Sequence, residues 1–225
     1  MKKINFHFIH GWAFDPSFWD NLRFELKKSF LDSYFFSYNL GFFGCEKIDI
    51  DLKKHSLNIF IVHSFGFNWL IKKKIKADLI FNFFGSPIFS DKKKLYFNCP
   101  LEIMIKRFYE NPIPVIKAFY KKCGLDYKFR TNYKNFDSAK LSKSLAELKN
   151  DNLIKILEKK KCKIFSFFSD SDKILSFRNF DNLFLSLEHK TILLEKEEHA
   201  YPFLKSSEAS KMIKEILFKN FIYEK

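Results

Sequence analysis

The segment Leu57 to Val62 constrains the fold most, because a serine and then a helical pattern follow it closely. Its apolar run is continuous toward its end, which is typical of a strand buried on both faces of a parallel sheet. Phe67 to Ile75 then has the apolar spacing of a helix. A serine between a buried strand and a helix can lie in a sharp turn that lifts its hydroxyl out of the sheet, and the alternative is an ordinary strand-to-helix turn. The pattern therefore predicts an elbow at Ser64.

Strand and helix patterns alternate along much of the remaining chain. Ile4 to Ile9 is β-rich and stops at Gly11, and Asp15-Pro16 then supplies an N-cap and a first-turn proline for a helix. Further strands are predicted over Ser33 to Tyr38, Ala77 to Phe84, Cys162 to Phe168 and Lys190 to Leu194, with a closing helix over Ala209 to Phe218. This alternation favours an α/β fold with a mostly parallel sheet flanked by helices.

The pattern changes between about residues 88 and 158. Apolar residues recur there at helical spacing, and Pro112 and Pro114 separate the first two groups. We interpret this region as a small helical lid insertion. A length of 225 residues with 47% apolar side chains favours one domain over residues 1–225.

A base and a carboxylate follow Ser64 in the order that would activate it. Serine needs a general base, and His199 comes after the last predicted strand and before the closing helix. Asp172 follows the preceding strand and begins an Asp-Lys-Ile-Leu segment. Asp170 is a competing carboxylate, whereas Glu197 and Glu198 are interpreted as solvated. We predict a catalytic triad of Ser64, Asp172 and His199.

Two backbone N–H groups are predicted to stabilise an oxyanion. One belongs to Phe65, directly after the nucleophile, and the other to Trp12, in the loop that Gly11 opens after the first strand. The alternative for Trp12 is a plain turn followed by a core tryptophan. Val62 stands where such elbows normally have a small residue, so a catalytically inactive binding protein is a second alternative.

Neither histidines nor cysteines form a recognisable metal or redox site. The 6 histidines lack HExxH spacing and the 4 cysteines lack a CxxC pair. Cys123 is a conceivable nucleophile, but a buried or incidental cysteine is the preferred interpretation. We expect no metal, no organic cofactor and reduced thiols in a cytoplasmic protein, because neither a signal segment nor a long apolar span is seen.

The charge balance is strongly basic. Lys and Arg number 40 against 26 acidic residues, a formal charge of +14. Such a balance suits nucleic acid, an anionic membrane or an acidic protein, although an AT-rich genome would also enrich lysine. The basic runs lack an interleaved aromatic signature and include Lys92-Lys93-Lys94. We therefore expect neither a nucleic-acid nor a membrane partner.

Short segments spread over nearly the whole chain resemble one enzyme family. The segments are His10-Gly11-Trp12 with Trp19, Ser64-Phe65-Gly66, Gly85-Ser86-Pro87, Phe119 to Gly124, Leu145 to Leu148, Asp172-Lys173-Ile174 and His199 to Phe203. Together they are similar to the pimeloyl-acyl-carrier-protein methyl ester esterases of biotin synthesis, in both their long-lid and short-lid forms. The order of serine, aspartate and histidine is also that of the α/β-hydrolase fold.

This resemblance implies hydrolysis of the methyl ester of pimeloyl-acyl-carrier protein on an α/β-hydrolase fold. The acidic carrier would then be the partner, and it could dock on basic residues of the insertion, namely Lys106, Arg107, Lys117, Lys121 and Lys122. Another esterase or thioesterase acting on small substrates is the alternative that the same scaffold allows.

Overall fold

A computed structural model describes residues 3–52, 55–89, 100–126, 129, 135–175 and 189–222. Residues 90–99 of the predicted insertion, which include the basic run Lys92-Lys93-Lys94 and Cys99, lie outside the described residues.

A sheet of six parallel strands forms the centre of the protein, in the order β2-β1-β3-β4-β5-β6. The strands are β1 (Lys3–Ile9), β2 (Tyr34–Tyr38), β3 (Ser56–His63), β4 (Leu79–Phe83), β5 (Lys163–Ser169) and β6 (His189–Leu194). The central strands β1, β3 and β4 are almost completely buried, and their sequences are mostly apolar, as strands covered on both faces require. The predicted parallel sheet is confirmed.

Helices connect and flank the strands. They are a 3-10 turn (Pro16–Trp19), α1 (Asp20–Lys27), α2 (Phe65–Lys72), α3 (Pro100–Glu110), α4 (Pro112–Lys122), α5 (Ser138–Asn150), α6 (Ile154–Leu157), α7 (Tyr201–Leu204), α8 (Ser206–Leu217) and a terminal π-helical turn (Phe218–Ile222). Asp15 caps the first of these by accepting a hydrogen bond from the Ser17 backbone N–H, as its sequence predicts.

The direction of the strand connections reverses between β1 and β3. The chain leaves β1 for β2 on one side, whereas it leaves β3 for β4 on the other. Right-handed crossovers in opposite directions place α1 and α2 on opposite faces of the sheet. Accordingly, α1 packs on α8, while α2 packs on α5 and α6. A crevice at the carboxyl ends of β1 and β3 is where ligands bind in such sheets.

The second helix differs from the prediction at both ends. It begins at Phe65, two residues before the predicted start, because Ser64 occupies the position before the first helical residue. It ends at Lys72 because Lys74 adopts a left-handed conformation, with φ of 53°, which a continuing helix excludes. This shift places the helix N-terminus directly at the serine.

The helices α3 to α6 lie between β4 and β5, within the range predicted for the insertion. Helix α3 packs on α4 and α5, and α5 also packs on α2. Within the described part of the chain, no helix is both long and apolar enough to cross a bilayer.

A buried histidine in the sheet makes the fold sensitive to acid. His7 Nε2 donates to Asn58 Oδ1 at 3.2 Å, so its Nδ1 is left to accept a hydrogen bond from the Tyr38 hydroxyl at 2.7 Å. The ring is fully buried and stacks on Phe60 at 4.6 Å. Burial lowers the pKa of His7 from 6.5 to about 4, although the hydrogen bond to Asn58 opposes this effect.

We expect the free energy of unfolding to fall as the pH drops from 6.5 toward 4. In that window the unfolded chain binds a proton at His7 that the folded chain excludes, and each such group contributes a slope of about 1.4 kcal/mol per pH unit. Urea denaturation between pH 4 and pH 7.5 measures this slope. His7→Gln should reduce the slope by about 1.4 kcal/mol per pH unit, while His63 and His189, whose pKa values are also lowered by burial, keep their contributions. Ile59→Val should lower stability by about 1 kcal/mol at every pH, and an unchanged slope in His7→Gln would contradict the assignment.

Candidate active site

Ser64 occupies a strained turn between β3 and α2. Its backbone has φ of 50° and ψ of −119°, a conformation that L-residues rarely adopt and that costs about 1–3 kcal/mol. The backbone N–H donates to Phe83 O at 2.8 Å, and its carbonyl accepts from Phe67 N at 3.0 Å. The neighbouring strand and the helix thus hold the serine in the conformation expected of an elbow.

Glycine at position 66 is what allows this turn to pack. A Cβ on Gly66 would lie 2.6 Å from Ile9 O and 2.7 Å from His10 O. The first turn of α2 therefore approaches the end of β1 so closely that only glycine fits at position 66. This contact brings the N-terminus of α2 beside the loop that follows β1.

Val62 does not prevent the elbow from forming. It is fully buried in β3, with Ile9 beside it on β1 and Asn82 beside it on β4. Asn82 is compact and turned toward the loop after β4, where its amide exchanges hydrogen bonds with the backbone of Gly85. Valine is therefore accommodated within the sheet.

His199 and Asp172 form a buried pair. His199 Nδ1 lies 2.7 Å from Asp172 Oδ2, and neither side chain is exposed. The other carboxylate oxygen accepts from the Ile174 backbone N–H at 2.7 Å. Both oxygens of Asp172 are therefore engaged, and the imidazole carries its proton on Nδ1.

The competing carboxylates lie elsewhere. Asp170 is exposed and accepts from the backbone N–H of Lys196, which lowers the pKa of this carboxyl. Glu197 pairs with Lys205, and Glu198 pairs with Lys173. The two glutamates are partly buried ion-pair members rather than the solvated side chains predicted. Asp172 is thus the carboxylate that the fold brings to His199.

The second imidazole nitrogen of His199, Nε2, is left free by the contact between Nδ1 and Asp172. It is buried and has no hydrogen-bond partner among the described residues. With the proton fixed on Nδ1, this nitrogen holds a lone pair able to accept one.

The loop after β1 leaves the backbone N–H of Trp12 available. Trp12 lies beyond the end of β1, and no described residue accepts a hydrogen bond from its backbone N–H or from that of Phe65. The Trp12 indole Nε1–H donates to Leu141 O on α5 at 2.9 Å, and the ring packs edge-on against Phe119 at 4.9 Å. Trp12 is therefore fixed by the insertion and not by the sheet.

Cys123 is poorly suited to act as a nucleophile, and both ring nitrogens of His10 are hydrogen-bonded. Burial, followed by the charges of Asp172 and Glu198, raises the pKa of the Cys123 thiol, which disfavours the thiolate that a nucleophile requires. His10 Nδ1 donates to Gly11 O at 2.9 Å, and Nε2 accepts from Leu40 N at 3.1 Å. Both ring nitrogens of His10 are used within the protein.

His63 was not predicted as part of the site, although it adjoins Ser64. It is fully buried, and its Nε2 donates to the backbone carbonyl of His199 at 2.9 Å. Burial lowers the pKa of His63 well below its ordinary value, and the His199 and His10 rings add to this effect. The sequence held no signal for the contact, because the partner is a backbone carbonyl distant along the chain.

Comparison with known proteins identifies the fold. No family profile matches the sequence, and no curated protein does. An esterase from Exiguobacterium antarcticum superposes with a TM-score of 0.79 at 11% identity, covering 96% of this chain and 93% of that one. A lipase-esterase related protein from Clostridium acetobutylicum gives 0.72 at 13% identity, covering 94% and 93%. A bromoperoxidase from Bacillus anthracis gives 0.71 at 13% identity, covering 96% and 92%.

These likenesses extend over almost the full length of each chain. They show that the protein has the α/β-hydrolase fold, as the order of Ser64, Asp172 and His199 predicts. At such identities they establish the fold alone, since unrelated chemistries share this scaffold. Any activity must therefore be inferred from the residues of the site.

Asp172→Asn should severely impair any hydrolysis that uses His199. The asparagine Oδ1 can keep the bond from Ile174 N, which turns its NH₂ group toward His199 Nδ1. His199 would then carry its proton on Nε2, where the lone pair is needed. We expect kcat to fall by about 10⁴-fold with little change in KM, measured by steady-state ester hydrolysis.

Asp170→Asn is the matched control, because it changes the neighbouring carboxylate in the same way. It should lower kcat less than about threefold, since the asparagine Oδ1 can still accept from the Ser171 hydroxyl and from the Lys196 backbone N–H. The reverse ranking of the two variants would transfer the role to Asp170.

Proposed function

We propose that this protein hydrolyses carboxylic esters with Ser64 as the nucleophile. The observation that carries the proposal is the buried hydrogen bond of 2.7 Å between His199 and Asp172, on the same sheet edge as the strained Ser64 elbow. Burying such a pair is costly unless both partners are satisfied, and strained elbows persist where function requires them. The esterase named among the similar structures supports this reaction class.

The proposed reaction proceeds through an acyl-enzyme. Ser64 Oγ attacks the ester carbonyl while His199 Nε2 takes its proton, and Asp172 stabilises the imidazolium. The resulting oxyanion accepts hydrogen bonds from the backbone N–H groups of Phe65 and Trp12. His199 then returns the proton to the leaving alkoxide as the C–O bond breaks. Water repeats the sequence and releases the carboxylic acid and free Ser64.

The finer proposal for the substrate is the methyl ester of pimeloyl-acyl-carrier protein. It is supported by the resemblance of the His10-Gly11-Trp12 and His199 to Phe203 segments to esterases of biotin synthesis. The reaction would release methanol and pimeloyl-carrier protein. The other candidate is an esterase or thioesterase for small substrates, and complementation of a biotin auxotroph lacking its esterase separates the two.

A basic surface on the insertion supports an acidic carrier as the partner. The side chains proposed to dock it are all exposed on α3 and α4, namely Lys106, Arg107, Lys117, Lys121 and Lys122. Opposite charge on a carrier would chiefly raise the rate of encounter.

Replacing the nucleophile gives the direct test of the reaction class. Ser64→Ala should lower kcat by about 10⁴-fold or more and abolish covalent labelling by a fluorophosphonate, with an unchanged circular dichroism spectrum. Ser210→Ala changes another buried serine, on α8, and should retain both activity and labelling. A wild-type protein that is neither labelled nor active on esters would instead indicate a binding protein.

Salt should separate the carrier substrate from small esters. Exposed charges are screened over about 8 Å at physiological ionic strength, so added salt should reduce kcat/KM several-fold for the carrier-bound ester. Hydrolysis of a small neutral ester should hardly change, because the chemical step is common to both.

A double charge reversal locates the docking surface. Lys121→Glu with Lys122→Glu should imitate high salt for the carrier substrate alone. The same change at Lys27 and Lys28, an exposed pair at the C-terminal end of α1, should have little effect on either substrate. Equal salt sensitivity of both esters, or full carrier activity after changing Lys121 and Lys122, would count against docking on the insertion.

A further inference from the structure

His63 contacts both loops that flank the nucleophile. Its Nε2 donates to the carbonyl of His199 at 2.9 Å, and the two rings lie 4.9 Å apart between centroids. On the other side, the ring packs against the backbone of Gly11, where a Cβ would lie only 2.5 Å from His63 Nδ1. His63 is also bonded covalently to Ser64, so one residue touches the nucleophile, the base and the loop that carries Trp12.

The imidazole has little freedom to move. It stacks on Phe18 at 4.6 Å and meets Phe14 edge-on at 5.5 Å, and it is completely buried. Because a carbonyl can only accept, the hydrogen bond to His199 fixes the proton on Nε2. Nδ1 is then an acceptor without a partner among the described residues, facing the Gly11 backbone. Buried acceptors are rarely left unpaired, so the placement itself requires an explanation.

Hydrogen bonds hold His199 at two separate points. Asp172 holds the imidazole, as described above, while His63 holds the main chain of the same residue. The first contact sets the tautomer and the orientation of the ring. The second sets where the loop after β6 stands relative to the end of β3, and hence how far Nε2 lies from Ser64.

We propose that His63 is a positioning residue, which fixes the His199 main chain and the Gly11-Trp12 loop at their working distances from Ser64. This inference rests on the proposed ester hydrolysis but adds a residue to it. His63 exchanges no proton with substrate. It acts by preventing small displacements, and a misplacement of about 1 Å can reduce a rate by about 100-fold.

Two substitutions at the same position separate hydrogen bonding from packing. His63→Leu removes the donor at similar volume, whereas His63→Gln can place an amide N–H where Nε2 stands. We expect kcat for a small neutral ester to fall about 10- to 100-fold in His63→Leu, with KM within about twofold of wild type. His63→Gln should recover most of that loss. Fluorophosphonate labelling of Ser64 should slow in parallel with kcat.

His7→Leu is the matched control for stability. His7 is likewise fully buried, makes two hydrogen bonds where His63 makes one to a described residue, and lies within β1, away from Ser64. It should lower Tm by an amount comparable to His63→Leu and leave kcat near normal. If His63→Leu and His63→Gln lose equal activity, or if His63→Leu keeps wild-type kcat, the positioning role is wrong.

A variant on the opposite side of the ring tests the same idea without altering His63. Gly11→Ala should lower kcat, because the new Cβ must displace the imidazole. Combining it with His63→Gln, whose side chain is slimmer, should restore part of the loss. If His63→Leu does not fold, Gly11→Ala and its combination with His63→Gln still test the positioning role. If the loss of kcat in the double variant equals the product of the two single losses, the proposal is wrong.

A failure of the proposed ester hydrolysis can be distinguished from a failure of the positioning role of His63. If wild-type protein lacks esterase activity and Ser64 is not labelled, the proposed function itself is wrong. If wild-type protein is active and labelled but the His63 variants behave as wild type, only the positioning role is lost.

Discussion

The close approach of α2 to the end of β1 is the contact on which the rest of the site depends. Gly66 meets the carbonyls of Ile9 and His10 at distances that no Cβ would tolerate. The helix can therefore begin with only Ser64 between it and β3. Ser64 then makes the turn in a conformation with positive φ. That turn costs free energy, which the surrounding sheet and helix offset through their burial. Position, strain and an open helix N-terminus all follow from this one contact.

Burial determines the chemistry of the groups around the serine. The His199 and Asp172 side chains are fully buried and mutually bonded, whereas Asp170, two residues away, faces solvent. In a site of low dielectric constant, the hydrogen bonds that remain are stronger and each unpaired atom is costly. The free Nε2 of His199 is such an atom. The proposed role of this nitrogen as a proton acceptor would explain why the fold tolerates the free-energy cost of leaving it unpaired.

Much of the architecture could be predicted because periodicity along the chain reports burial. The apolar run from Leu57 to Val62 predicts a buried strand. The end of that run predicts the position of the elbow at Ser64. Asp172 could be preferred over Asp170 from its local segment. His63 could not be assigned, because its partners are the carbonyl of His199 and the backbone of Gly11, which every residue possesses. The end of α2 was missed because a left-handed Lys74 leaves no hydrophobic signature.

The indole of Trp12 connects the loop after β1 to the helices of the insertion. Its N–H bonds to the main chain of α5 and its ring lies against Phe119 on α4, while its own backbone N–H remains open beside the elbow. Direct contacts therefore connect the insertion to the loop beside Ser64. Mutations that reshape the insertion would be transmitted to that loop. Under the proposed reaction, changes in the insertion that alter substrate choice would therefore also alter the geometry around Ser64.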